Sequence, residues 1–178
     1  MDRDQVAAPR FCQYIDGFIH KIGNVVAWLN VVLIVNIIVQ VVLRYAFGEG
    51  MVWLEELQWH FYGVCIMFAI SYTLVDDAHI RLDIFYQRFS ARTKAQVEFW
   101  GLLILVLPLV AILFWHGLSF VESAWRVSER SESPLGLPYR WLIKSVLPAS
   151  MFLWWIAAFS RMVRSALVAF GKKTGKQG

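Results

Sequence analysis

The chain has 178 residues, of which 58% are hydrophobic and only 17% charged, and its formal net charge is +4. Soluble domains carry about 25% charged residues, whereas here four stretches hold no Asp, Glu, Lys or Arg at all: Ile22–Leu43, Leu57–Val75, Phe99–Val121 and Ser145–Ser160. Such clumping excludes an ordinary soluble domain, and the first run is longer than the roughly 7–15 residues of a signal-peptide core, with no small-residue cleavage site after it.

A helix needs roughly 20 apolar residues to cross a hydrocarbon core of about 30 Å. The first three runs meet that length. The fourth lies between Lys144 and Arg161, whose side chains can snorkel, so a span over 141–160 is expected. The reading is an all-α integral membrane protein: one domain over 1–178, with four transmembrane helices near 22–43, 54–75, 97–121 and 141–160.

Ahead of the first span, Phe11, Tyr14, Ile15, Phe18, Ile19 and Ile22 recur at helical spacing, which predicts a short amphipathic helix lying on the membrane. In the first span Asn36, Gln40 and Arg44 fall on one helix face. The connection Tyr45–Val52 is short, with Gly48 and Gly50 for the turn, so spans one and two are antiparallel neighbours. The second span opens with Glu55 and Glu56 at the positive end of the helix dipole, and His60 lies one turn after Glu56 on the same face. Arg44 and this acidic pair share a membrane level, which predicts an Arg44–Glu55 or Arg44–Glu56 contact.

Residues 76–95 are too polar to span and read as a second interfacial segment, with Ser90 able to cap the helix that follows. Pro108 predicts a kink near the middle of the third span, and apolar positions through Val127 suggest that this helix runs past the membrane. Ser128–Pro138, rich in Ser, Glu, Gly and Pro, reads as an exposed loop. Trp141 starts the fourth span, which carries Pro148 in its first half.

Charge sets the expected orientation. One side of the membrane receives twelve cations: Arg3, Arg10, Lys21, Arg81, Arg88, Arg92, Lys94, Arg161, Arg164, Lys172, Lys173 and Lys176. The other receives five: Arg44, Arg126, Arg130, Arg140 and Lys144. The positive-inside rule then places both termini in the cytoplasm. Net positive charge in such a chain speaks to orientation and not to nucleic acid. Cys12 and Cys65 belong at different depths, which argues against a disulfide.

Chemistry-bearing patterns are sparse. There is no Gly-rich phosphate loop, Cys-x-x-Cys or His-Glu-x-x-His, and adjacent Glu55 and Glu56 diverge by about 100° around a helix, so an enzyme is not expected. His60 and His116 both lie toward the outer end of their spans, which leaves open a haem- or quinone-binding membrane anchor of a respiratory enzyme. No ionisable group sits at mid-membrane depth, where a proton or ion path would need one, and the halves show no internal repeat of the kind that builds a transporter's own substrate site. The chain reads as a scaffold that packs against something else.

Four ordered landmarks carry a resemblance: Arg44-Tyr45 closing span one, Trp53-Leu54-Glu55-Glu56 opening span two, His79-Ile80-Arg81-Leu82-Asp83 after it, and Gly136-Leu137-Pro138 before span four. Together they resemble the small membrane subunit (DctQ type) of the tripartite ATP-independent periplasmic (TRAP) transporters, over roughly residues 20–165. The stretch from Glu129 to Lys144, with Asp83-Ile84-Phe85-Tyr86, is similar to the branch associated with 2-oxo acids and other monocarboxylates. The resemblance implies a multi-pass protein of the bacterial inner membrane. It further implies that a periplasmic binding protein captures an organic anion, that a large membrane subunit holds the substrate and coupling sodium ions, and that the small subunit carries no cofactor or metal of its own. Its residues are then interaction residues. Arg44, Glu55, Glu56 and His60 organise the outer end. Arg126, Arg130, Gly136, Leu137, Pro138 and Arg140 shape the periplasmic loop, and His79, Arg81 and Asp83 fix the cytoplasmic segment. Partners are the large subunit, the binding protein and membrane lipids.

Overall fold

A computed structural model describes residues 9–76 and 89–171. Among these residues every regular element is helical: α1 (Arg10–Ala46), α2 (Val52–Val75), α3 (Ala91–Arg126) and α4 (Arg140–Phe170). Consecutive helices are antiparallel. α4 packs against all three others, α1 pairs with α2, and α1 and α3 form opposite edges.

α1 starts directly after Pro9 and runs unbroken for 37 residues. The expected membrane-lying helix over 11–22 is therefore corrected: these residues are the first turns of α1. The apolar stripe divides: Phe11, Tyr14 and Phe18 are exposed, while its other edge faces protein. Cys12 and Ile19 are buried, and Ile15 packs against the core. Asp16 pairs with Arg164 of α4, which gives the segment a reason to stand against α4. Beyond Ala46 the chain reverses through Gly48, whose φ of 70° favours glycine.

Ser90 caps α3 as expected, its Oγ accepting the Thr93 N–H at 3.2 Å. At the expected kink, α3 contains a π-turn over Leu102–Val106, closed by the Leu107 N–H donating to the Leu102 carbonyl. Pro108 follows immediately. A proline lacks the N–H that would continue the α-helical ladder and clashes with the carbonyl four residues back, and a π-turn relieves both.

The core lies where the helices converge on Ala157 and Ala158 of α4, with Ile19, Leu74, Leu102 and Leu107 around them. Two small residues let backbones approach closely, as membrane bundles require in place of a hydrophobic driving force. Higher up, Gly117 of α3 faces the Pro148 ring, which a Cβ would meet at 3.4 Å. Ser71 Oγ donates to the Ser150 carbonyl at 3.4 Å, tying α2 to α4.

Among the described residues three helices are long and apolar enough to cross a membrane: α1, α3 and α4. The sequence predicts four. α2 has 24 residues, about 36 Å at 1.5 Å per residue, so length does not set it apart. Composition does: within its charge-free stretch Leu57–Val75, Gln58, His60, Tyr62, Ser71, Tyr72 and Thr73 dilute the apolar residues.

Candidate functional site

The most constructed region is where the α3–α4 loop meets the start of α2. α3 ends at Arg126, and the chain turns at Ser128, whose φ of 48° is left-handed. It closes on itself through backbone bonds: Ser131 N–H to the Leu137 carbonyl (3.2 Å), Gly136 N–H to Ser133 (3.0 Å) and Arg140 N–H to Glu129 (3.1 Å). Tyr139, also left-handed at φ 63°, turns the chain into α4.

Glu56 of α2 fastens this loop. Its carboxylate accepts a hydrogen bond from Ser131 Oγ and a second, at 2.7 Å, from the Leu137 N–H. Arg140 lies close enough to attract the same carboxylate. Gly136 explains itself here: a Cβ would overlap Ser131 and come within 2.7 Å of Glu56 Oε1. So the Glu at the start of the second span and the Gly-Leu-Pro before the fourth are two halves of one contact. A second clamp lies alongside. Lys144 Nζ donates to Glu129 at 2.5 Å and sits 4.0 Å above the Phe120 ring, and Trp125 meets Trp141 edge to face at 4.4 Å. Lys144 thus turns inward to a partner and does not snorkel to water.

The other residues singled out from the sequence separate from this cluster. The Arg44–Glu contact is not formed: Arg44 and Glu55 are both exposed, and Glu56 is committed to the loop. Equal depth did not mean a shared direction. His60 Nδ1 lies 2.5 Å from the Glu56 carbonyl of its own helix. Arg126 pairs with Glu122 one turn back at 2.5 Å on an exposed surface, and Arg130 and Pro138 are exposed. His79, Arg81 and Asp83 lie outside the described residues. The bis-histidine arrangement also fails, because His116 is exposed on α3 while α2 and α3 make no substantial contact.

A second cluster, at the end of the bundle where α1 begins and α4 ends, was missed from the sequence. Glu98 of α3 pairs with Arg161 of α4 and accepts from Ser165 at 3.1 Å. Arg161 also donates to the Leu74 carbonyl of α2 at 2.8 Å. Asp16 of α1 binds Arg164, and His20 meets Asp76 at 3.3 Å. Arg161 and Arg164 read from sequence as orientation charges. Their separation by three residues, facing single carboxylates at the edges of spans one and three, was the available signal for pairing.

Chemically, neither cluster aligns a nucleophile with a base. Both tie helices together. Along α4 the two charged layers, Lys144 and Arg161, stand about 25 Å apart at 1.5 Å per residue, close to the thickness of a hydrocarbon core.

The family model described as "Tripartite ATP-independent periplasmic transporters, DctQ component" matches residues 33–167. No curated protein matches the chain.

Proposed function

The chain belongs to the DctQ component family of the tripartite ATP-independent periplasmic transporters, a family of transporter components and not of enzymes, and from that premise we propose that it serves as the small membrane subunit of such a system. In this role it braces the large translocating subunit and contributes to docking of a soluble substrate-binding protein for sodium-coupled uptake of an organic anion. A carboxylate, of the 2-oxo acid or monocarboxylate kind, is the substrate class we favour. The family match carries the reading. It is supported by charged side chains of the four helices and the α3–α4 loop that fasten these elements to one another, Asp16, Glu56, Glu98, Glu129, Lys144, Arg161 and Arg164 among them, which suits a brace better than a carrier.

We further propose that all four helices span the bacterial inner membrane with both termini in the cytoplasm, as the cation distribution favours. The Glu56-fastened loop then faces the periplasm. The substrate and sodium sites belong to the large subunit, and this chain holds no cofactor.

The test is uptake in cells lacking only this chain. Uptake should be abolished while the binding protein still binds its ligand in solution. Normal uptake without the chain would overturn the proposal.

A further inference from the structure

The bundle has two open edges, and they differ in chemistry. α3 presents an aliphatic surface that suits lipid: its exposed aliphatic residues from Leu103 to Leu118 are mostly Leu. Its exposed His116 lies four residues from Phe120, beneath Lys144. That is about 6 Å at 1.5 Å per residue, near enough to reach the interface.

α1 is the barest of the three long apolar helices, with only 11% of its apolar stretch buried inside the chain. Yet it carries an exposed amide, Asn30, deep in the membrane. Asn30 is nine residues from Lys21 and fourteen from Arg44, about 13 Å and about 21 Å along the axis. Asn24, also exposed, is only one turn from Lys21 and within reach of the headgroups. One Asn30 N–H donates to the Ala27 carbonyl of the same helix at 3.3 Å. The rest of this exposed amide has no hydrogen-bond partner among the described residues, and acyl chains offer none, which makes leaving it unpaired costly.

A second difference points the same way. Every exposed aliphatic residue from Val31 to Val42 is Val or Ile. β-branched side chains are held to one rotamer in a helix, so this surface loses little side-chain entropy when another helix packs on it. Ala27 and Ile34 flank Asn30 at helical spacing, and the small alanine admits close approach.

We propose that the face of α1 centred on Ala27, Asn30 and Ile34 seats against a transmembrane helix of the large membrane subunit, with the Asn30 amide hydrogen-bonding across the interface. The proposal rests on the small-subunit reading above. It leaves the α3 edge to lipid.

The experiment uses the assembled transporter in native membranes. A photo-reactive phenylalanine derivative is incorporated at position 27 or 34 on α1 and, separately, at position 105 or 112 on α3. Irradiation should join the α1 positions to the large subunit and leave the α3 positions unjoined. In the same complex Asn30→Leu should weaken co-purification of the large subunit by about three- to twentyfold, the range of measured hydrogen bonds between membrane helices, whereas Asn30→Gln should retain it. Adducts of the large subunit with α3 alone, or α1 adducts only with a second copy of this chain, would overturn the assignment. The uptake test keeps the two readings apart. If uptake needs the chain but α1 does not reach the large subunit, only this inference falls. If uptake persists without the chain, the small-subunit reading falls with it.

Discussion

Replacing Glu56 by alanine removes two hydrogen bonds that cross from α2 to the α3–α4 loop, from Ser131 Oγ and from the Leu137 N–H. Hydrogen bonds to charged groups contribute about 1.5–3 kcal/mol each, so the loss would reach about 3–6 kcal/mol if both donors were left dry. The site is only half-buried, and water can replace part of what is lost, which brings the expected cost to about 2–3 kcal/mol. Glu56→Gln keeps the shape and one acceptor and should cost about 1 kcal/mol. Unfolding of the purified chain in detergent measures both. Trypsin gives a local readout, because Arg130 is exposed within a loop held shut on either side. Cleavage after Arg130 should accelerate in Glu56→Ala well before the helices unfold. If Glu56→Ala unfolds at the wild-type midpoint and Arg130 is cut at the wild-type rate, then Glu56 does not hold the loop.

Gly136→Ala should open the same loop without touching the carboxylate, at about 1–3 kcal/mol for overpacking. Combined with Glu56→Ala it should cost less than the sum, since both break one contact. Gly23→Ala would drive a Cβ into the Tyr72 ring and should destabilise the α1–α2 pair by about 1–3 kcal/mol in the same unfolding assay. Gly17→Ala meets nothing within 4 Å and should stabilise α1 by up to about 1 kcal/mol. Equal effects at the two glycines would contradict the packing described. The Glu98–Arg161 pair is about four-fifths buried, at 23% and 19% exposure. Removing either partner should cost about 2–3 kcal/mol, and removing both should cost less than the two together, as measured by a double-mutant cycle.

Membrane character and helix placement were legible in the sequence because lipid punishes charge. Each charge-free run lies inside one helix: Ile22–Leu43 in α1, Leu57–Val75 in α2, Phe99–Val121 in α3 and Ser145–Ser160 in α4. The ends were less legible, and for a physical reason. α4 continues past Arg161 and Arg164 to Phe170 because both arginines find carboxylates on other helices, so a charge that looks like a boundary is an internal contact. The site was legible in its parts and not in its assembly. Glu56, Gly136 and Leu137 were each singled out, but position along a helix gives depth and leaves direction open. Arg44 was therefore matched to the acidic pair by depth, while the true donors, Ser131 and the Leu137 N–H, lie in a loop 75 and 81 residues away. Ser131 carries no sequence signal of its own.

The π-turn in α3 does more than accommodate Pro108. In an unbroken α-helix Glu98 and Gly117, nineteen positions apart, would point about 100° away from one another. One residue looped out of phase cancels that angle, and both then face α4, Glu98 toward Arg161 and Gly117 toward Pro148. One row of inward-facing positions records the correction: Ala95, Leu102, Val110, Gly117 and Ala124 are buried, at intervals of seven, eight, seven and seven, with Leu107 buried beside the row. The helix thus acts as a counter with one deliberate skip. Deleting a single residue between Leu103 and Leu105 should turn the skip back into ordinary helix and leave both contacts in place, whereas the same deletion one turn after Pro108 should rotate Gly117 off the proline.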